Sequence, residues 1–194
     1  MASTQERLRE LCIRLRSGER PDVCAEVARI AQVLQRRGVR RVGLAAAAEN
    51  VGVPAIALQM GLAMVDITGS PTGVVDVTGT WMRPPSRQPH AKCSWSFEAS
   101  WLTDKLALLT PCSFGAGTVV RKLEALVRAE TSGIDLLVVD LTGLVRTGEH
   151  LAAITLLHGV AVVAYSGRTT SSQLETWMRD IPADKNLGVL LVGV

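Results

Sequence analysis

The chain is poor in aromatic residues and has no long apolar segment. Only 4% of its 194 residues are Phe, Trp or Tyr, although 47% are hydrophobic. The core must therefore be built mainly from Val, Leu, Ile and Ala, a composition that favours buried parallel strands covered by helices. No apolar run approaches the roughly 18 residues of a membrane span, and the Arg-rich N-terminus lacks the apolar segment of a signal peptide. These absences predict a cytoplasmic protein without a transmembrane segment.

Clustered metal ligands are missing as well. Cys12, Cys24, Cys93 and Cys112 are widely spaced without a Cys-x-x-Cys pair, and the chain has three histidines. A zinc site needs closer ligand pairs, and a disulfide framework is typical of secreted proteins. We therefore expect free thiols and no metal site.

The charge is small but unevenly distributed. The formal net charge is +3, and residues 1–41 carry ten arginines against five acidic residues. This basic segment suits contact with DNA, an acidic lipid surface or an acidic protein. It equally suits the solvated face of two helices. We favour the second interpretation, so nucleic acid is not an expected partner.

Apolar strand patterns alternate with helical patterns along the chain. Strands are predicted at 39–46, 73–77, 105–110, 134–140, 160–165 and 188–192, and helices at 21–38, 54–64, 95–102, 119–128, 149–157 and 170–180. An earlier helix is predicted within 1–20, after a capping box at 3–6. The alternation predicts an α/β fold, a doubly wound and mainly parallel sheet of the P-loop NTPase type over 21–194, with ligands at the carboxyl ends of the strands.

The turn after the first of these strands matches a phosphate-binding loop in spacing but not in chemistry. Such a loop reads [Ala/Gly]-x-x-x-x-Gly-Lys-[Ser/Thr] between a strand and a helix. Here Gly52 is present, but Val53 stands at the lysine position and Pro54 at the Ser/Thr position. Valine cannot neutralise a phosphate, and proline offers neither a hydroxyl nor a backbone N–H. The degenerate loop comprises Ala47, Asn50, Gly52, Val53, Pro54 and Ala55.

Further segments follow in a recognisable order. They are Val-Val-Asp-Val-Thr at 74–78 with Arg-Pro at 83–84, Asp-Leu-Leu-Val-Val-Asp-Leu-Thr-Gly at 135–143, the strand and loop at 159–170, and Leu-Gly-Val-Leu-Leu-Val-Gly-Val at 187–194. In this order and spacing the chain resembles the MinD/ParA-type P-loop ATPases. It most closely resembles the cytoplasmic domain of bacterial tyrosine kinases that regulate polysaccharide export. The resemblance extends from Glu26 to Val194.

The resemblance implies a role for each matching position. Asp76 and Asp140 match the acidic residues that organise magnesium and the attacking nucleophile, but Thr78 replaces a second aspartate and Val192 replaces an asparagine that contacts adenine. The relatives also phosphorylate a tyrosine-rich tail, whereas the single tyrosine here, Tyr165, falls in a predicted strand. Because the lysine is also missing, we expect no catalytic residues and no nucleotide cofactor. Asp76 and Asp140 are alternatively structural residues at strand ends.

One assembly motif of these kinases persists in part. They form rings through Glu-x-x-Arg-x-x-Arg on the helix before the loop strand, and this chain has Glu26, Arg29 and Gln32 at those positions. The resemblance implies that these residues form an oligomer or partner contact. They are equally compatible with an exposed ion pair three residues apart on a helix.

These features predict a catalytically inactive pseudo-ATPase that binds another protein. The expected role is a scaffold or regulatory subunit, alone or as part of a homo- or hetero-oligomer. The partner would be the membrane-associated machinery of polysaccharide export, which would recruit the protein to the inner membrane, or an active paralogue. Two alternatives stay open: a nucleotide-binding ATPase or kinase with a deviant loop, and a positioning protein of the MinD/ParA kind.

Overall fold

A computed structural model describes residues 21–48, 52–79, 81, 97–112, 117–129 and 133–193. The predicted N-terminal helix within 1–20, the Arg-Pro pair at 83–84 and Asn50 lie outside these ranges. The described helices are α1 (Pro21–Arg36), α2 (Val53–Thr68), α3 (Thr118–Arg128), α4 (His150–Leu156) and α5 (Ser171–Asp180), with 3-10 helices at Thr142–Thr147 and Ala183–Lys185. The strands are β1 (Arg41–Ala46), β2 (Thr72–Asp76), β3 (Phe97–Trp101), β4 (Leu106–Pro111), β5 (Leu136–Asp140), β6 (Gly159–Tyr165) and β7 (Asn186–Val192).

The described strands form one sheet in the order β3-β4-β2-β5-β1-β6-β7. Every neighbouring pair is parallel except β3 and β4, which are antiparallel. The predicted doubly wound, mainly parallel sheet is therefore confirmed. In such a sheet the carboxyl ends of the central strands β2, β5 and β1 lie along one edge, where ligands bind in open α/β folds.

Alternate residues of each strand enter two separate cores. Val42, Leu44, Val74 and Val138 belong to one buried cluster with the apolar sides of α1 and α2. The neighbouring residues in each strand, such as Val139, belong to a second cluster with α3, α4 and α5. Because successive side chains point to opposite faces of a strand, the two clusters cover the two faces of the sheet.

Local signals account for the ends of the helices. The second helix, α2, begins with a proline in its first turn and ends at Gly69, whose φ of 68° is in the left-handed region that favours glycine. The last helix, α5, begins at a complete capping box formed by Thr170 and Gln173. The start and end of α2 and the start of α5 agree with the pattern in the sequence to within a few residues.

Two expectations are wrong. Residues 95–102 were expected to include a short helix, but Phe97–Trp101 is strand β3 and forms a hairpin with β4, closed by a hydrogen bond from Leu102 N–H to Leu106 O of 2.8 Å. Aromatic residues at both ends of this segment favour a strand, and pairing with β4 outweighs the local pattern. Cys112, expected as a free thiol, is disulfide-bonded, because spacing along the chain does not reveal which cysteines the fold brings together.

The helices were also tested as membrane spans. Within the part of the chain that the model describes, no helix is both long enough and apolar enough to cross a membrane.

Candidate functional site

The junction between β1 and α2 places the loop residues at the carboxyl edge of the sheet. Ala47 follows β1 and donates its N–H to Val163 O at 2.9 Å, which extends the ladder between β1 and β6 by one bond. Gly52 is the N-cap of α2 and has no side chain to offer the free N–H groups of the first turn. Pro54 and Ala55 are exposed. From Gly52 to Ala55 the side chains carry no polar group, so only backbone N–H and C=O groups could bind a ligand at this part of the junction.

Val53 occupies the lysine position and is completely buried. Its exposed fraction is 0%, and it belongs to the same core cluster as Leu44 and Leu58. Its inward packing agrees with the expectation from its apolar side chain. A buried valine presents no charge at the loop, so it makes the start of α2 part of the protein core.

Aromatic and apolar side chains surround this junction. Trp81, Tyr165 and Val192 are partly buried and pack against the core cluster that contains Val53. The Tyr165 hydroxyl lies 3.5 Å from the position that a Cβ on Gly52 would take. Tyr165 also stacks with Arg168, whose guanidinium carbon is 6.0 Å from the ring centroid. Val192, at the position where the resemblance implies an adenine-binding asparagine, is thus half-buried against the core.

Asp76 ends β2 and is fully engaged by the turn that follows. Its Oδ1 accepts hydrogen bonds from Thr78 N–H (3.0 Å), Thr78 Oγ1–H (2.7 Å) and Gly79 N–H (2.9 Å), and its Oδ2 accepts one from Trp81 N–H at 2.9 Å. The carboxylate is 0% exposed. Thr78, at the position where the resemblance implies a second acidic residue, is therefore a hydrogen-bond donor to Asp76. Asp76 acts as the acceptor that holds residues 76–81 in a turn.

Asp140 ends β5 directly beside Asp76. The two residues are register partners in neighbouring parallel strands. Asp140 is 4% exposed, and its Oδ1 accepts a hydrogen bond from Thr142 N–H at 2.9 Å. Burial raises the pKa of this carboxyl, hydrogen bonds from Thr142 oppose the rise, the charge of Asp76 adds to it, and a hydrogen bond from the Trp81 side chain opposes it. The fold thus brings both predicted acidic residues together.

Trp81 links the two acidic strand ends and was not anticipated from the sequence. Its backbone N–H binds Asp76, and its side chain, whose one donor is the indole N–H, binds Asp140. The available signal was a tryptophan five residues after a strand-ending aspartate. That signal alone does not indicate which way the turn folds. Trp177 on α5 was not anticipated from the sequence either. Its indole N–H donates to Ala46 O at 2.9 Å and anchors the end of β1.

The acidic pair does not extend into a cluster of three potential metal ligands. Among the described residues, no three His, Cys, Asp or Glu side chains are grouped closely enough to hold a metal ion. The side-chain environment of the pair consists instead of the hydroxyls of Thr78 and Thr142 and the indole of Trp81. Every one of these groups is a hydrogen-bond donor to a carboxylate.

The predicted assembly residues lie on α1, away from the acidic pair in the fold. Glu26, Arg29 and Gln32 are all exposed. Arg29 donates to Glu26 through Nε at 3.0 Å and through Nη2, so the two side chains form a two-pronged ion pair within the helix. This hydrogen-bonded pair lowers the pKa of Glu26 and raises the pKa of Arg29.

The same helix borders a cleft with β7. Glu26 and Arg29 line this α1–β7 cleft, which has a volume of about 430 Å³ and apolar walls that include Val33, Val189 and Leu191. These three apolar residues are 37%, 42% and 67% exposed, respectively. The sequence did not indicate this apolar surface beside the ion pair, because β7 lies about 150 residues later and its position at the end of the sheet follows from the strand order.

Comparison with known proteins gives fold-level matches. No family model matches the chain, and no curated protein matches it either. Among solved structures, the BceF tyrosine kinase domain superposes with a TM-score of 0.65 at 11% identity, covering 92% of this chain and 81% of that one. The chain has the fold of a tyrosine kinase domain. The chimerical protein CapA2B2 matches with a TM-score of 0.61 at 17% identity, covering 79% of this chain and 75% of that chain.

These identities show the fold alone. They agree with the fold implied by the resemblance to MinD/ParA-type ATPases and bacterial tyrosine kinases, and they carry no information on activity. The chemistry of this chain has to be argued from its own side chains.

Proposed function

We propose that the protein is a catalytically inactive pseudo-ATPase of tyrosine kinase fold that works by binding another protein. The observation that carries this proposal is the complete burial of Val53 at the loop position where the relatives have a lysine. Phosphoryl transfer depends on fixed positive charge around the transferring group. A buried valine followed by an exposed proline and alanine supplies none.

The acidic pair supports the same proposal. A magnesium ion prefers oxygen ligands in near-octahedral geometry and is usually held by carboxylates together with the substrate's phosphates. The Oδ1 and Oδ2 of Asp76 already accept hydrogen bonds from its own turn. Asp140 is buried, and hydrogen bonds from Thr142 and Trp81 already occupy part of its capacity as an acceptor. The residues present therefore do not fit a magnesium–nucleotide complex of the kind that the relatives bind.

Calorimetric titration with ATP and magnesium tests this proposal. We expect no binding at physiological ATP concentration, because the positions at which the relatives bind nucleotide through a lysine, a Ser/Thr hydroxyl and an asparagine hold Val53, Pro54 and Val192. An active tyrosine kinase domain of the same fold, titrated under identical conditions, is the positive control. A dissociation constant in the micromolar range would overturn the pseudo-ATPase proposal.

One observation favours an enzyme as the second candidate. Two adjacent carboxyl groups at strand ends, one with a raised pKa, form a pattern that is common in active sites. A nucleotide-binding enzyme with a deviant loop would use these groups. If ATP binds in the titration, Asp76→Asn and Asp140→Asn become the variants that separate a nucleotide site from a structural pair.

The α1–β7 cleft is the surface that we assign to the protein partner. Among the described strands β7 is at the end of the sheet, so its outer edge has backbone N–H and C=O groups that no other described strand pairs with. Exposed apolar residues beside such an edge are typical of a protein contact. The ion pair of Glu26 and Arg29 borders the cleft. Charged groups at the border of an interface select the partner and fix its position along the interface.

The partner class follows from the resemblance rather than from the cleft. Relatives of this kind act in polysaccharide export, so we propose a component of the envelope export machinery or an active paralogue as the partner. The protein would then work in the cytoplasm and be recruited to the inner membrane by that partner.

Co-purification of the tagged protein with the candidate partner tests this assignment. Leu191→Asp should remove the partner from the purified complex, because it places a charge in the centre of the cleft. Leu151→Asp is the matched control, since Leu151 is also exposed, at 50%, but lies on α4 outside the cleft. Equal recovery of the partner with both variants would mean that it binds elsewhere.

A further inference from the structure

A second cavity lies at the opposite edge of the sheet from the acidic pair. It is formed where β1, β5 and β6 begin, has a volume of about 460 Å³, and is called the base cavity here. Arg41 is the first residue of β1, Asp135 directly precedes β5, and His158 directly precedes β6. The walls are Arg40, Arg41, Leu126, Val127, Ala129, Ile134, Asp135, Leu137 and His158.

Hydrogen-bond donors outnumber acceptors in this cavity. Arg40 N–H donates to His158 Nδ1 at 2.9 Å, and Arg41 Nη2 lies 2.8 Å from His158 Nε2. A neutral imidazole has one nitrogen that can accept, and the other carries a proton. One of these two contacts therefore brings a donor against a donor, whichever tautomer forms.

Arg41 has a second unsatisfied group. Its Nε is buried and has no hydrogen-bond partner. A buried N–H group without an acceptor is costly, and native proteins satisfy nearly all such groups with protein, water or ligand atoms. Arg41 Nε, and one of the two donors that approach the imidazole of His158, are thus left without an acceptor among the described groups.

The base cavity also carries an excess of positive charge. Asp135 is the one acidic residue among its walls, whereas Arg40 and Arg41 are both fully charged. No described ion pair joins Asp135 to either arginine. Burial lowers the pKa of His158, and Arg41, Lys185 and Arg40 lower it further. Burial and the positive surroundings together therefore favour the neutral imidazole.

We propose that the base cavity binds a small organic anion. Its negatively charged oxygens accept hydrogen bonds from the Arg41 guanidinium, and its apolar part packs against Leu126, Val127 and Ile134. A guanidinium fork suits a carboxylate or phosphate group. The cavity volume is in the range of small-molecule sites, and Leu126, Val127, Ala129, Ile134 and Leu137 add apolar walls to its polar ones.

Titration of the full chain with phenyl phosphate, followed by NMR at constant ionic strength, tests the proposal. We expect the His158 ring signals to shift on binding, and the pKa of His158 to rise because the ligand neutralises part of the surrounding positive charge. Inorganic phosphate should bind at least about fivefold more weakly, since it lacks the apolar part. Equal affinity for the two probes would overturn the organic part of the assignment.

Two variants locate the site. Arg41→Gln should weaken phenyl phosphate binding at least about tenfold, because a hydrogen bond to a charged group is lost. Arg36→Gln is the matched control, since Arg36 is an exposed arginine on α1 outside the cavity. If Arg41→Gln fails to fold, Arg40→Gln is used as the cavity variant in its place. The shift of the His158 signals in the wild type then shows whether phenyl phosphate binds in the cavity. Absence of any phenyl phosphate binding to the wild type, or binding that Arg36→Gln and the cavity variants weaken equally, would overturn the proposal.

Discussion

The two parts of the carboxyl edge differ in the side chains that they present. At the β1–α2 junction, the residue at the lysine position is an apolar side chain packed into the core, Val53. At the ends of β2 and β5, the acidic residues Asp76 and Asp140 are present, but their oxygens bind the turns that follow them. The junction thus carries an apolar side chain in the core, whereas the strand ends carry carboxylates that are hydrogen-bonded within the protein.

This difference supports the proposal that Asp76 and Asp140 are structural residues. A buried carboxylate needs hydrogen-bond donors whether or not it binds a metal ion. In this protein those donors come from Thr78, Thr142 and Trp81. Replacing Asp76 would leave its donors unsatisfied, so the carboxylate has a structural role in the turn. The predictions below test whether both parts are indeed structural, in order of expected effect.

Val53→Lys should have the largest effect on stability. It introduces an ammonium group at a position with no exposed surface, so the free energy of unfolding should fall by roughly 3–5 kcal/mol. Ala55→Lys is the matched control, because Ala55 is an exposed residue two positions later on the same helix. Urea denaturation measures both. A Val53→Lys variant as stable as the wild type would mean that the junction is an open loop able to accept the lysine.

Asp76→Ala should have the next largest effect. It removes the acceptor of four hydrogen bonds and leaves the N–H groups of the turn without partners. The expected loss is about 2–4 kcal/mol of unfolding free energy. Asp76→Asn keeps one oxygen and should lose less. A cost near zero for Asp76→Ala would show that the carboxylate is not needed for the turn, and would favour a retained site for a ligand.

Asp140 should make stability depend on pH. Because its pKa in the folded protein is raised above the ordinary value of 3.8, the stabilising contribution is fully present below that value and is lost as pH rises through the folded pKa. Asp140→Asn lacks this loss, so its stability relative to the wild type should improve with rising pH. Urea denaturation of both proteins from pH 4 upward measures the trend, with Asp135→Asn as an exposed control. A constant difference would contradict the raised pKa.

Charge reversal on α1 should have the smallest effect on the fold. Glu26→Arg or Arg29→Glu exchanges an exposed helical residue for another good helix former, so the unfolding midpoint should not change. If the protein self-associates through this helix, either reversal should weaken the oligomer seen by light scattering. Reversal of Glu124 in the exposed Glu124–Arg128 pair of α3 is the control. An oligomer indifferent to the α1 reversals would assign the contact to another surface.

The sequence predicted the fold well because the strands are continuous apolar runs separated by clear helix signals. Leu136–Asp140, for example, is buried at every position. The hairpin strand Phe97–Trp101 was missed because a five-residue segment carries too little periodicity to identify its type.

The site was harder to predict, because its contacts depend on turns and on strand order. Asp76 and Asp140 were identified from the sequence, but the orientation of Trp81 between them was not. The base cavity could not be predicted at all, since Arg40 and His158 are 118 positions apart and meet through the pairing of β1 with β6.

The strand order also determines when the sheet can form during synthesis. β1 pairs with β5 and β6, and β2 pairs with β4 and β5, so among the described strands no ladder can form until β4 has been made. At about 5–20 residues per second, β1 waits several seconds for β5 to emerge from the ribosome. During that interval β2 can pair with β4, whereas β1 has no partner among the described strands. The strand at the centre of the β5-β1-β6 ladder is therefore the described strand that stays unpaired longest after its synthesis.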